Sequence, residues 1–150
     1  MAIYMKFTGK QQGVFAGDVT TAGFIGQIAV ASVGFGLGRP NSNNTQLATG
    51  GTVVRSLTLT KSMDKTSPLF LNAVARNEPG AVILTYTYDG GTTRKTVANV
   101  TLTNAMVQDF DHQAGPAGTA VETIVLNFTQ IEFTWVDGGI TSIIDMTTPG

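Results

Sequence analysis

Residues 57–71 constrain this chain more than any other stretch, because an alternating strand there runs through a charged turn into the only strong helix pattern. Leu57 and Leu59 share one strand face while Thr58 and Thr60 share the other, the period of a half-buried strand. Ser67 followed by Pro68 predicts a helix start. A serine N-cap accepts a hydrogen bond from a free amide of the first turn, and proline at the first helical position wastes no donor. Phe70, Ala73 and Val74 then fall at i, i+3 and i+4, a stripe suited to lying across a sheet. Asn77, followed by Pro79-Gly80, ends the pattern.

The rest of the chain reads as β-structure. A first strand spans 3–8, and a glycine-containing loop runs to Gly23. A longer strand over 24–35 puts Ala29, Ala31, Val33 and Phe35 on one face and Ile28, Val30, Ser32 and Gly34 on the other. Residues 36–51 form a long polar connection of the kind that is functional or disordered in compact domains. Val82, Leu84, Tyr86 and Tyr88 alternate before an Asp89-Gly90-Gly91 hairpin turn. A return strand covers 92–102, a short strand covers 106–110, and a polar loop covers 112–118. Along residues 120–136 the apolar phase slips by one. Ile124, Leu126 and Phe128 are even, whereas Ile131, Phe133 and Trp135 are odd, so a bulge or corner is expected near Thr129-Gln130. Asp137-Gly138-Gly139 turns the chain into a last strand over 140–146. About seven or eight strands with one helix make a β-barrel or sandwich. There is no internal repeat.

At 150 residues the chain is expected to be a single domain, 1–150, with a real core. Cysteine is absent, which excludes disulfides, thiolate metal sites and cysteine nucleophiles. Nine Lys+Arg against ten Asp+Glu leave no basic stripe, so nucleic acid is not an expected partner. Only 13% of residues are charged, about half the usual share, and surfaces of that kind favour self-association. The start, Met1-Ala2-Ile3-Tyr4-Met5-Lys6-Phe7, lacks the pattern of a signal peptide, and no apolar run of about 18 residues occurs. The expectation is a protein made soluble in the cytoplasm, without membrane insertion.

A search for chemistry assigns no catalytic, cofactor-binding or metal residue. His112, the lone histidine, reads as a solvated loop residue, and Asp109 and Asp111 beside it are too few for a metal site. Gly34-Phe35-Gly36-Leu37-Gly38 has no helix behind it to make a nucleotide fingerprint. No nucleophile elbow, phosphate loop or zinc-helix motif is present. Glu122 and Glu132 lie too far apart along an extended strand to flank one bond, so they read as outward polar residues or charge partners. Asp64 with Lys61 and Lys65 reads equally as a ligand site or as a charged turn capping the strand-to-helix crossover.

Thr60-Lys61-Ser62-Met63-Asp64-Lys65-Thr66-Ser67-Pro68 resembles the TK-x-x-DK-x-SP signature that precedes the helix in Hcp proteins, the tube-forming components of bacterial type VI secretion systems. The run from Glu122-Thr123-Ile124 to Phe133-Thr134-Trp135 is similar to the family's long late strand. The opening residues, Gly17-Asp18-Val19 and the strand from Ile28 to Gly36 agree in kind and order. Val33 and Phe35 stand where many relatives carry tryptophan.

The resemblance implies a mainly β fold, an Hcp-like β-barrel of two antiparallel sheets with one α-helix, assembling into a hexameric ring. It implies a structural role without enzymatic activity or cofactor: homohexameric rings stack into a tube that a contractile sheath expels behind a VgrG-like spike. The lumen would carry secreted effectors. Such a protein would begin in the bacterial cytoplasm and leave through the type VI apparatus without a signal peptide. On that reading, the loop with Gly38, Arg39, Asn43, Asn44 and Gln46 is expected to contact the next ring. Ser32 and Gly34 are expected to face the lumen. Lys61, Asp64 and Lys65 are expected to set the helix against the barrel, or else to contact a neighbouring subunit. Two other readings of the residues remain, a phage-type tail-tube subunit and a monomeric β-sandwich binding module.

Overall fold

The computed structural model of the protein describes residues 1–39, 53–90, 93–116, 118 and 120–145. Its strands in chain order are β1 (Ala2–Gly9), β2 (Gly13–Val14), β3 (Ile28–Val30), β4 (Ser32–Gly38) and β5 (Val53–Ser62). After the helix α1 (Ser67–Arg76) come β6 (Pro79–Gly90), β7 (Thr93–Gln113), β8 (Val121–Asn127), β9 (Gln130–Trp135) and β10 (Ile140–Asp145). Every ladder between them is antiparallel.

The sheet closes on itself. Strand order runs β1, β6, β7, β8, β5, β4, and β3 returns to β1. β3 and β4 are two halves of one run split at Ala31, whose N–H donates to the Thr60 carbonyl at 2.7 Å. The run therefore starts on β1 and finishes on β5, joining the two ends of the sheet. The β9–β10 hairpin extends the wall along the first half of β7. No helix among the described residues is long and apolar enough to cross a membrane.

The expected corner near residues 129–130 is present. β8 pairs with β5 and the second half of β7, whereas β9 pairs with the first half of β7. Crossing it shifts the inward parity from Ile124 and Leu126 to Ile131. A second slip of the same kind was hidden. Ile28 and Val30 are buried, but beyond Ala31 it is Val33 and Phe35 that pack toward the core. The single strand expected over 24–35 is thus two, preceded by turns in which Gln27 donates to the Phe24 carbonyl. Apolar residues on both faces masked the change of phase.

The two strands expected over 92–102 and 106–110 are one strand of 21 residues, β7. Asn104, at φ 51°, interrupts its pattern, a backbone angle that asparagine tolerates better than most residues. The β6–β7 turn itself, residues 91–92, lies outside the described residues. The β9–β10 turn is as expected, with Gly138 and Gly139 at φ 87° and 66°, angles that favour glycine.

The helix seals one end of the core. Phe70 and Ala73 are fully buried, and Phe70 meets the stacked Phe7 and Phe15 edge-on at 5.3 and 5.0 Å. Its start differs from the expected serine cap. Thr66 is the N-cap residue and makes no side-chain cap bond, its hydroxyl donating to Asp64 Oδ1 instead, and the Ser67 hydroxyl is turned toward Glu122 on β8. Its end follows expectation: Asn77 adopts φ 55°, and the Glu78 and Asn77 N–H groups donate to the Ala73 and Val74 carbonyls.

Candidate functional site

Antiparallel register places His112, Glu122 and Lys61 in one row across β7, β8 and β5. Their side chains point inward, beneath the N-terminus of α1. The Lys61 ammonium donates to Glu122 Oε1 at 2.7 Å and to Asp64 Oδ1 at 2.9 Å, and lies 5.7 Å from the Phe70 ring centre. The Ser67 hydroxyl donates to Glu122 Oε1 at 2.7 Å, and His112 Nδ1 stands 2.7 Å from Glu122 Oε2. Asp64 Oδ1 also accepts the Thr66 N–H at 2.9 Å, which fastens the charged turn to the helix start.

Lys61 and Glu122 have no exposed side-chain surface. Burial alone would push the Glu122 carboxyl up. The hydrogen bonds from Lys61, Ser67 and His112, with the Lys61 charge, hold it below the ordinary carboxylate range. The row therefore couples three strands and the helix through a buried charge pair. Losing one member would strand the other in a dry interior.

This corrects one expectation and decides another. His112 lies near the end of β7, half-exposed and bonded to a buried carboxylate, rather than sitting free in a loop. Of the two readings of Glu122, outward residue or charge partner, the structure selects the charge partner, buried within the protein. Lys61 and Asp64 meet at the helix junction, but Lys65 does not join them. It is exposed and stands 3.8 Å from an equally exposed Asp18, a pairing worth little. A cleft of about 500 Å³ beside the row is walled by Met63, Pro68, Leu71 and Phe110. Among the described residues no group of three His, Asp or Glu is placed to hold a metal.

A second buried carboxylate had no signal in the sequence. Glu78 accepts the Gln11 and Gln12 N–H groups at 2.8 and 2.7 Å, and the Gln12 side-chain amide at 2.9 Å. Burial would raise its pKa, but these bonds and the Arg76 charge keep it low. It ties the β1–β2 turn to the end of the helix. A Cβ at Gly9 would collide with its Oε2, so a larger residue there must displace the carboxylate.

The outward face of β4, β5, β8 and residues 107–113 of β7 is small and nearly uncharged. One row reads Asp111, Thr123, Thr60, Ser32, and the next reads Asp109, Val125, Thr58, Gly34. Ser32 and Gly34 are exposed, with Ser32 Oγ and Thr60 Oγ1 2.6 Å apart. This four-stranded unit has two edges without a strand partner among the described residues: β4 on the side away from β5, and residues 107–113 on the side away from β8. Above the core, Leu37, Phe133, Trp135 and Ile140 are all at least 40% exposed, near an apolar groove of about 220 Å³. Gly38 ends β4 and Arg39 follows it, exposed, whereas Asn43, Asn44 and Gln46 lie outside the described residues.

Residues 4–135 match the family described as "Type VI secretion system effector, Hcp". The fold is similar to that of a double variant of Hcp1 from the E. coli EAEC 042 pathovar, with TM-score 0.88 and 22% identity, covering 97% of this chain and 99% of that one. It is also similar to the secreted protein Hcp3 from Pseudomonas aeruginosa, at TM-score 0.78 and 21% identity over 95% and 98% of the two chains. Hcp1 from Salmonella typhimurium gives TM-score 0.76 and 18% identity over 97% and 96%. No curated protein sequence matches the chain.

Proposed function

The chain belongs to the Hcp family of type VI secretion proteins, a tube subunit, and on that premise we propose how its sheet builds the tube. Six copies close into a ring when the open edge of β4 on one copy pairs with residues 107–113 of β7 on the next. The observation that carries this reading is the four-stranded antiparallel unit whose two edges have no strand partner among the described residues. Continuing the ladder between copies satisfies the free backbone groups of those edges and removes a liability to open-ended aggregation. A heterologous contact of this kind forms a ring if its rotation closes.

In this arrangement the hydroxyl-rich face becomes the wall of the lumen, with Ser32 and Gly34 among the residues that meet effectors. A wall of mostly small side chains with few charges lets cargo pass without binding tightly. The whole chain, 1–150, serves as one tube domain, without catalysis. Gly38, Arg39, Asn43, Asn44 and Gln46 project to the next ring. Lys61 and Asp64 hold the helix against the barrel. The stacked rings run inside a contractile sheath, beneath a VgrG-like spike, and pass from the bacterial cytoplasm to the outside.

Native mass analysis and electron microscopy of the purified protein test this. Six-chain rings are expected, and shortening residues 38–50 is expected to leave rings intact while abolishing stacked tubes. Single chains at all concentrations would refute the ring, and unchanged tubes would refute the role of the loop.

A further inference from the structure

Three charges stand on the otherwise hydroxyl-rich and amide-rich outward face of the four-stranded unit, and they are segregated to its two edges. On β4 the outward positions are Gly34, Gly36 and Gly38. Arg55, paired with Gly36 in the ladder, lays its guanidinium over that glycine track. A Cβ at Gly36 would collide with Arg55 Nη2, and one at Gly38 would stand 3.7 Å from Nη1. The missing side chains thus let Arg55 reach across the outermost strand toward the open edge. Among the described residues it has no carboxylate partner.

At the opposite edge, Asp109 and Asp111 face outward from β7. Asp111 accepts a hydrogen bond from the Gln113 amide at 3.2 Å, whereas Asp109 is in no ion pair among the described residues. A ring that joins one edge to the other brings Arg55, the cation of this face among the described residues, toward the carboxylates of the neighbouring copy. Continuing the ladder rows across the seam sets Asp109 abreast of Gly34 on the adjoining copy. The next outward position along β4 is Gly36, where the Arg55 head lies, about 7 Å further on. Asp111 lies one outward position further away.

We propose that Arg55 of each copy pairs with Asp109 of the partner subunit across every seam of the ring. The proposal rests on the edge-to-edge ring and specifies its register. Such a pair recurs at every seam, discourages like-charged misalignments, and sets which edges meet. Arginine suits the role because its planar fork binds a carboxylate through two parallel hydrogen bonds.

Charge reversal tests it. In R55E and in D109R, like charges face each other at every seam, so the concentration at which rings dissociate should rise by about tenfold or more. Both side chains are exposed, so far-UV circular dichroism and the melting temperature measured on dissociated chains should stay as in the wild type. The double variant R55E/D109R should bring the midpoint back to within about threefold of wild type. Unchanged assembly in R55E would overturn the pairing, as would a double variant as dissociated as the singles. Rescue by R55E/D111R instead would overturn the assignment to Asp109. A wild-type chain that never forms rings would refute the edge-to-edge ring itself, and the pairing with it.

Discussion

Replacing Lys61 with methionine probes the buried row where its energetics are largest. Methionine fills most of the volume of the lysine stem but removes the ammonium that stands 2.7 Å from Glu122 and 2.9 Å from Asp64. Glu122, with no exposed side-chain surface, then keeps only the bonds from Ser67 and His112. Breaking a buried pair on one side costs about 3–5 kcal/mol. Asp64 retains some exposure and recovers part of its hydration, which favours the low end, about 3 kcal/mol. For a domain of this size that corresponds to a fall in melting temperature of about 6–12 °C. The assay is thermal and urea unfolding at pH 7 and fixed protein concentration, because assembly also shifts the apparent midpoint. Removing both charges in Lys61→Met with Glu122→Leu should recover stability to within about 1 kcal/mol of wild type, since a well-packed apolar pair often replaces an ion pair at little cost. A single Lys61→Met variant within about 1 kcal/mol of wild type would refute the claim that the row is a closed electrostatic unit.

Acid should weaken the fold through Glu122 and Glu78, whose folded-state pKa values both lie below the ordinary 4.5. Their contribution is complete above 4.5 and is lost as pH falls through the depressed folded values, so Glu122→Gln should flatten the acid limb of a stability profile; an unchanged limb contradicts this. Gly9→Ala should destabilise by about 1–3 kcal/mol in denaturant unfolding, because the added methyl must displace the Glu78 carboxylate from the Gln11 and Gln12 amides. Combining Gly9→Ala with Glu78→Ala should cost less than the sum of the two singles. Ser32→Trp should impair effector loading, measured by co-purification, while leaving rings intact; an unfolded subunit would place Ser32 on an inward face instead.

Much of this fold can be read from local pattern. The strand, charged turn and helix of residues 57–71, the stop at Asn77, the turn at Gly138-Gly139 and the slip near residues 129–130 all follow from neighbouring residues. The corner at Ala31 does not, because Ala29 and Val33 offer apolar side chains to either parity and only pairing with β1 and then β5 selects one. β7 reads as two strands because Asn104 interrupts the alternation locally; the β6 ladder resumes beyond it after a register shift, while on the other side the partner changes from β9 to β8. The ionic row was illegible for a different reason. Lys61 and Glu122 are separated by 61 positions, and only the register of β5 against β8 brings them together. Once β8 is known to pair with both β5 and β7, the meeting of Lys61, Glu122 and His112 follows from counting along three strands. Glu78 offered still less, since its partners are mostly backbone amides of a turn that no side-chain pattern announces.

The absence of cysteine makes the joining of β4 to β7 directly measurable. Gly34 has open space where a Cβ would go, and Asp109 faces outward on the opposite edge, so Gly34→Cys and Asp109→Cys can be introduced together without disturbing the core. On mild oxidation, non-reducing electrophoresis should show a ladder of cross-linked chains that stops at six, and only when both substitutions are present in the same chain. Dimers from either single variant, or monomers from the double variant under conditions where rings are seen by electron microscopy, would contradict a ring closed edge to edge through β4 and β7.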